Sequence, residues 1–376
     1  MKLCRSTSLD ILRTSMCTGA LLCLGLTGAE NAHSARTEVQ QAEKTRQLET
    51  EAIVNLPELA RFWLTEDVAD IISREERTVF LRLASDEERD QWIEQFWARR
   101  TADPKSLDNS FKRGHYERIA SADTKYGTQI PGFQTDRGRI YVGFGPPDSI
   151  ESRPREDGYA RERWGYGHLD GVGENVEFEF VDRSGSGDYQ LAIAPEKKDA
   201  LFFAPHITMD ACGRELLSGP APSMIVCVGP MKPPALQFKD LEPLMVSRVN
   251  RGQAPFSHHI EFARATHATT LARIVIYLPA EKLTLPNNVA TSPAGFEILG
   301  RISRPSGRVV ETFERRISPG GQCSSARPEA DCQFNVPVGP GKYRLAIAVK
   351  NVASGETSLL DAPIDVPSYE KLNAEK

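Results

Sequence analysis

The chain has 376 residues, and its 46 lysines and arginines against 51 aspartates and glutamates give a formal net charge of −5. Nucleic-acid binding needs a clustered basic surface, so this mild acidity argues against nucleic acid as the main partner. A hydrophobic content of 40% and a charged content of 26% are ordinary for a globular protein, and the length allows two domains with a core each.

The first 29 residues have the pattern of a secretion signal. Basic residues precede an uncharged apolar run from Ser15 to Gly28, and small residues allow cleavage after Ala29. The run is too short for a membrane span and has the length of a signal core, although a buried N-terminal helix is the alternative. We therefore predict a signal peptide over residues 1–29 and a periplasmic or secreted protein, with no membrane span after the signal is removed.

The cysteines agree with export. Four remain after signal removal, an even number that is typical of disulfide-bonded exported proteins: Cys212, Cys227, Cys323 and Cys332. Three pairings are open. We favour the two sequence-local pairs, because each lies within one predicted domain and closes a short loop, which typically contributes ~3 kcal/mol. Zinc sites use Cys-x-x-Cys spacing, which this chain lacks.

The next part of the chain predicts a polar leader and then helices. Residues 30–54 lack an apolar stripe and predict a flexible leader. Two segments, Ser73–Glu76 and Ser85–Glu88, have the form of a helix-starting capping box. The helix after Ser85 carries a stripe of large apolar residues that we interpret as core rather than as a partner-binding patch. That stripe consists of Trp92, Ile93, Phe96 and Trp97.

A further helix is predicted to start near Asp108 or Asn109. It places Phe111, His115, Ile119 and Ala122 on one face, and Gly127 is positioned to end it. On an apolar face, a histidine such as His115 is more often a hydrogen-bonded core residue than a ligand. This is the last predicted helix before the spacing of apolar residues changes from helical to strand-like.

After Gly127 the pattern predicts a small antiparallel sheet. Arg139 to Phe144 predicts a strand that follows a turn at Thr135–Gly138. Asn175 to Val181 alternates apolar and polar residues, and with the strand Tyr189 to Ile193 it predicts a hairpin. The first domain, residues 55–205, is therefore expected to be α+β, with a helical layer packed on a small antiparallel sheet.

The second half of the chain predicts an all-β domain. Residues 206–254 are proline-rich and mixed, and we interpret them as a linker. Seven short strands with glycine and proline turns over residues 255–370 are typical of an immunoglobulin-like β-sandwich. The strands are His258 to Ala265, Leu271 to Leu278, Gly295 to Ser303, Arg308 to Phe313, Gln333 to Val338, Lys342 to Lys350 and Thr357 to Val366.

Motifs over residues 55–205 resemble those of the GWxTD domain family, which consists of exported and mainly acidobacterial proteins. The ordered series includes Trp63–Asp67, Gly132–Asp136, Gly145–Asp148 and Val176–Phe180. Phe133 replaces the tryptophan of the family name, so the large aromatic is kept and the indole donor is lost. The resemblance implies export and no established activity. The family-motif residues here are Gly132, Phe133, Thr135, Asp136, Arg137, Gly138, Arg139, Gly145, Pro146, Pro147 and Asp148.

Acidic residues around this motif suggest two interpretations. Asp136, Asp148 and Glu151 offer carboxylates for acid–base catalysis, with His115 or His168 as a nearby base. Aspartate is also a common turn residue, because its side chain bonds to local backbone. We favour the turn interpretation. It makes residues 130–148 a structural hinge, with the Asp136 carboxylate bound to amides or an arginine within its own turn.

Arginines surround the same motif and are interleaved with acids. They either form an anion-binding face for acidic glycans or lipid headgroups or pair with the acids, and interleaving favours pairing. The arginines are Arg137, Arg139, Arg153, Arg155, Arg161 and Arg163, and the acids are Asp136, Asp148, Glu151, Glu156, Asp157 and Glu162.

The sequence offers no recognisable cofactor or metal motif. His258 and His259 point to opposite faces of a strand and do not share one metal easily. We therefore expect no catalytic residue, cofactor or metal. The leading hypothesis is an exported, non-enzymatic binding or assembly protein of the cell envelope, whose partner is a protein or an envelope component. The alternative is an envelope hydrolase or glycan-processing enzyme that uses Asp136 and Asp148.

Overall fold

The structure, a computed structural model, describes most of the chain beyond the predicted signal peptide. The described residues are 40–41, 43–101, 107–153, 158–169, 173–192, 236–247, 256–279, 295–318 and 329–369. The predicted signal peptide lies outside these ranges, and so does the predicted linker except for residues 236–247. The chain divides into two compact units, residues 1–56 and 57–376. In the first unit, helix α1 covers residues 40–41 and 43–54, within the predicted leader.

The second unit begins with a bundle of helices that is followed by a sheet. We call the bundle and this sheet together the N-terminal part (described residues from 57 to 192). Both predicted capping boxes are present, since Ser73 and Ser85 each accept from the third amide of their helix and the glutamate there bonds back. The helices are α2 (Glu58–Phe62, continued by a π-helical turn at Trp63–Asp67), α3 (Arg74–Phe80), α4 (Asp86–Ala98) and α5 (Ser110–Tyr126).

Aromatic side chains form the centre of this bundle. Phe96 of α4 is fully buried, and its ring centroid lies 5.3 Å from that of Trp63 and 5.1 Å from that of Trp97. Phe80 of α3 lies 4.9 Å from Trp63. Aromatic contacts at these distances add to the area burial that dominates core energetics. The prediction that the stripe of α4 is core is confirmed for Trp92, Phe96 and Trp97.

The predicted turn at Thr135–Gly138 and strand at Arg139–Phe144 are wrong. A helix, α6, runs from Asp136 to Phe144, and the Thr135 hydroxyl accepts from the Gly138 amide to cap its start. Three consecutive residues, Ile140–Val142, are buried, and such a short apolar run does not distinguish a buried helix from a strand. Gly145, at φ 85°, ends the helix in a conformation that favours glycine.

A four-stranded antiparallel sheet follows α6. Its order is β1-β2-β3-β4, and the predicted hairpin is confirmed as β3 and β4. Trp164 on β2 is fully buried, and its ring lies 5.4 Å from Tyr126 of α5, so helices cover one face of the sheet. The α+β class is therefore correct. The strands are β1 (Ser149–Arg153), β2 (Ala160–Leu169), β3 (Gly173–Asp182) and β4 (Gln190–Leu191).

The described residues from 236 to 369, which we call the C-terminal part, contain all seven predicted strands. Two antiparallel sheets have the orders β11-β10-β7-β8 and β5-β6-β9. Ile347 of the first sheet and Ile274 of the second belong to one hydrophobic cluster. The strands are β5 (Ser257–Arg264), β6 (Thr270–Pro279), β7 (Phe296–Ser303), β8 (Val309–Ile317), β9 (Glu329–Val338), β10 (Gly341–Asn351) and β11 (Thr357–Val366).

A short helix, α7 (Glu242–Ser247), lies just before these strands. Together with the turn before it, α7 covers the outer face of the first sheet. Leu241 and Met245 pack with Leu299 and Ala348 in a second, smaller cluster. No helix among the described residues is long and apolar enough to cross a membrane.

The N-terminal and C-terminal parts meet through polar side chains. Arg308, at the start of β8, donates to Asp90 at 2.7 Å and to Glu94 at 2.8 Å on α4. Asn335 on β9 donates to Glu117 on α5 at 2.7 Å. Such an interface resembles a transient protein–protein contact more than a core. Its strength is therefore expected to depend on charge.

We expect Ile347→Ala to lower the free energy of unfolding by about 2–5 kcal/mol, because the side chain is fully buried in the cluster shared by both sheets. Val246 on α7 is 70% exposed, and Val246→Ala should change that free energy by less than ~0.5 kcal/mol. Denaturant unfolding of both variants measures the difference. Equal effects would show that the shared cluster is not a core.

Candidate functional site

The family motif forms a corner between α5 and α6. The Gly132 amide donates to the Asp123 carboxylate at 2.8 Å, and the Thr135 hydroxyl donates to the Gly132 carbonyl at 2.7 Å while accepting from the Gly138 amide at 3.1 Å. Phe133 is 5% exposed and lies between these contacts in sequence. One hydroxyl therefore links the short 3-10 turn Gly132–Gln134 to the start of α6.

Two motif glycines make this corner possible. A Cβ at Gly132 would lie 2.0 Å from the Ala122 carbonyl oxygen, and a Cβ at Gly138 would lie 1.8 Å from the Gly132 carbonyl oxygen. Both obstacles are backbone, which moves less readily than a side chain. The glycines are needed for close approach, since neither has a positive φ.

The two candidate catalytic acids bind backbone amides of the sheet. The Asp136 carboxylate accepts from the Leu191 amide on β4 at 2.7 Å, and the Asp148 carboxylate accepts from the Gly167 amide on β2 at 2.7 Å. Asp136 thus bonds an amide as expected, but the amide lies 55 residues away rather than in its own turn. Glu151 is on the exposed strand β1 and pairs with Arg153 at 3.9 Å.

The connection from α6 to β1 is fixed by backbone contacts on both sides of Pro146 and Pro147. The Gly145 carbonyl accepts from the Tyr166 hydroxyl at 3.0 Å, and the Asp148 amide donates to the Gly165 carbonyl at 2.9 Å. Both partners lie on β2. The Gly-Pro-Pro-Asp segment therefore attaches the end of α6 to the sheet.

Arginines of the motif pair with acids inside the fold. Arg137 donates to Glu162 at 3.1 Å and to the Gly187 carbonyl at 2.9 Å, and its guanidinium lies 4.2 Å from the centre of the Tyr189 ring. Arg139 donates to Asp70 at 2.9 Å. These contacts join α6 to the sheet and to the segment before α3, which favours the pairing interpretation over an anion-binding face.

The remaining arginines form exposed pairs across the sheet. Arg161 donates to Glu179 at 3.1 Å, and Arg163 lies 3.8 Å from Glu177. Each pair joins β2 to β3. Exposed pairs of this kind contribute little to stability, and they leave the outer face of the sheet with alternating charge. Arg155, Glu156 and Asp157 lie outside the described residues.

A buried carboxylate that the sequence analysis did not single out lies at the junction of the two parts. Asp67 ends the π-helical turn and is 1% exposed. It accepts from the hydroxyls of Tyr116 at 2.7 Å, Thr269 at 2.5 Å and Thr266. Loss of solvation raises the pKa of Asp67 from 3.8 to about 6, although the hydroxyl bonds oppose the increase. The signal in the sequence was its place in the motif Trp63–Asp67.

Comparison with known protein families gives a match over part of the chain. Residues 40–204 match the model of the GWxTD domain. The chain carries a GWxTD domain. The match begins in α1 and includes every helix and strand described above up to β4. No curated protein was found to match the chain.

Solved structures give only weak likenesses. β-Glucuronidase 2 of Bacteroides uniformis is 15% identical over 29% of this chain and 13% of its own, with a TM-score of 0.21. The C-terminal domain of Wzt is 14% identical over 32% of this chain and 77% of its own, also at 0.21. The MHC-like protein MILL2 is 10% identical over 55% of this chain and 68% of its own, with a TM-score of 0.19. This chain thus spans a small fraction of the length of the β-glucuronidase. TM-scores this low do not support a shared fold or function.

Histidines of the GWxTD domain do not accompany the candidate acids. His115 is buried, and its Nε2 lies 2.6 Å from the Asp67 carbonyl oxygen. His168 is exposed and contacts Glu174 at 2.6 Å. Within the described residues, no group of three or more histidines, cysteines, aspartates and glutamates is arranged to hold a metal ion.

One predicted disulfide cysteine lies in the described part of the chain. Cys332 on β9 is 1% exposed and belongs to the cluster shared by both sheets. Cys212, Cys227 and Cys323 lie outside the described residues. The pairing of Cys332 with Cys323 therefore stays a prediction.

Two glycines on α6 of the GWxTD domain should respond in opposite directions to alanine. Gly138→Ala should lower the free energy of unfolding by about 1–3 kcal/mol, because its Cβ would overlap the Gly132 carbonyl. At Gly143 a Cβ meets nothing within 4 Å, so Gly143→Ala should raise that free energy by about 0.5–1 kcal/mol. Denaturant unfolding compares them. A neutral Gly138→Ala would disprove the tight corner.

Proposed function

We propose that the protein is an exported, non-enzymatic binding or assembly protein of the cell envelope, whose partner is a protein or an envelope component. The observation that carries this proposal is the use of the motif's charged groups. Asp136, Arg137, Arg139 and Asp148 each bond to another element of the same fold. Charged groups that bond in this way hold helices and strands in position, so their role is structural.

The C-terminal part supports a role in binding. We propose that it is an immunoglobulin-like β-sandwich, since four strands in one sheet and three in another share a hydrophobic cluster. Its surface would then present strand edges and loops to a partner. A fold of this kind hosts many functions, so the binding role rests on the combination with the motif chemistry and not on the fold alone.

The alternative, an envelope hydrolase or glycan-processing enzyme, receives less support. Paired carboxylates in such enzymes act on a bond that lies between them. Here the Asp136 carboxylate accepts from the amide of Leu191, which ends β4, whereas the Asp148 carboxylate accepts from the amide of Gly167, near the end of β2. Each is bonded to an amide whose position is fixed by the sheet.

The substitution pair Asp136→Asn and Asp148→Asn separates the two functions. Asparagine keeps one acceptor oxygen for each amide and removes the carboxylate needed for acid–base catalysis. We expect the double variant to capture the same envelope partner as the unmodified chain in a pull-down from envelope extract. Glycan hydrolysis by the unmodified protein, lost in the double variant, would refute the non-enzymatic proposal.

The proposed export has a mass signature. We expect the mature protein to begin at Glu30 and to carry two disulfides, Cys212–Cys227 and Cys323–Cys332, because a sequence-local pair closes a short loop in an oxidising compartment. Intact-mass measurement before and after reduction, followed by mapping of the linked peptides, tests both statements. A retained N-terminus or four free thiols in the exported protein would contradict them.

A further inference from the structure

Asp67 joins the two parts of the second unit at one buried point. The carboxylate belongs to the helices, and one hydroxyl donor, Tyr116, comes from α5. The other two donors, Thr266 and Thr269, lie in the turn between β5 and β6. All four residues are buried. The β5–β6 turn is therefore attached to the GWxTD domain through this carboxylate.

The direction of these hydrogen bonds follows from the turn itself. The Thr266 hydroxyl oxygen accepts from the amides of Ala268 at 3.2 Å and Thr269 at 3.0 Å, so its proton is donated to Asp67. Among the hydrogen bonds and ion pairs of the described residues, Asp67 receives neutral donors and no lysine or arginine. A buried charge that lacks a cationic partner is costly to desolvate.

Other titratable groups face Asp67 from each neighbouring element. Glu66, on the same turn, repels the carboxylate and contacts the His267 ring at 2.8 Å across the junction. From α5, the His115 ring contacts the Asp67 carbonyl, and Tyr116 donates to its carboxylate. From β8, the charge of Glu311 acts on Tyr116.

We propose that Asp67 is a proton-operated latch, through which the β5–β6 turn is held to the GWxTD domain more tightly in acid than at neutral pH. The latch is a conformational device distinct from the envelope role proposed above. It needs neither a known partner nor the motif acids Asp136 and Asp148. Its basis is a buried carboxylate that takes two of its three hydroxyl donors from the β5–β6 turn.

The sign follows from proton linkage. Burial raises the pKa of Asp67 from 3.8 to about 6, and separation of the turn returns the carboxylate to water and to its ordinary pKa. The docked state therefore binds a proton more tightly than the separated state. Docking is favoured fully below pH 4, and the advantage is lost as pH rises through 6. Between pH 5 and pH 8 the docking equilibrium should weaken about tenfold.

Protonation does not leave an unsatisfied group. When Asp67 gains a proton, one of its oxygens becomes a donor, and a facing hydroxyl must accept. The hydroxyl oxygens of Thr269 and Tyr116 lie 3.5 Å apart, and each has lone pairs that can accept. The protonated carboxyl of Asp67 therefore keeps its hydrogen bonds in the docked state at low pH.

Hydrogen–deuterium exchange of the full chain at pH 5 and pH 8, corrected for intrinsic exchange rates, tests the latch. The reporters are the amides of the β5–β6 turn, such as Thr266, which donates to the Thr269 carbonyl at 2.9 Å. We expect their opening to increase about tenfold from pH 5 to pH 8, whereas amides of Ile347 on β10 stay protected. Asp67→Asn, which does not titrate, should remove this pH dependence.

Two further variants keep the test decisive if Asp67→Asn does not fold. Tyr116→Phe removes one donor to the carboxylate, so the pH at which the turn opens should move upward. His267→Gln removes the nearby imidazole and should leave an Asp67-dependent transition in place. Equal pH dependence in the unmodified chain and Asp67→Asn would overturn the proposal. So would an unchanged transition in Tyr116→Phe, or a transition lost in His267→Gln.

Discussion

The bridge made by the Thr135 hydroxyl is the interaction on which the GWxTD domain depends. It closes the 3-10 turn by donating to Gly132, and it starts α6 by accepting from Gly138. Because α6 begins there, Asp136 and Arg137 in its first turn bond to residues of the sheet, and Arg139 bonds to Asp70. The contacts of the motif thus set where α6 begins and how it is oriented against the sheet.

This view explains why the motif mixes glycines with charged residues. The glycines bring the backbone of the turn against α5 and against α6, where a side chain does not fit. The charged residues then attach α6 to elements that are far away in sequence. Substituting phenylalanine for the family's tryptophan keeps a buried aromatic at Phe133. The corner is therefore built from backbone proximity and does not require an indole donor.

Sequence patterns predicted those elements whose signals are local. The capping boxes at Ser73 and Ser85, the core stripe of α4 and the seven C-terminal strands depend on period and turn residues, and all are present. The helix α6 was missed because Ile140–Val142 is buried on several sides, which removes its helical period. Asp67 was missed because its partners at Thr266 and Thr269 are known only from the tertiary structure.

The large sequence separation between Asp67 and the β5–β6 turn has a consequence for the order of folding. Asp67 and Thr266 are 199 residues apart, so the helices are synthesised long before the turn that covers the carboxylate. Contacts between distant residues form late, because the intervening chain must first be brought together. The β5–β6 turn therefore completes the burial of the Asp67 carboxylate only after the whole intervening chain has been synthesised.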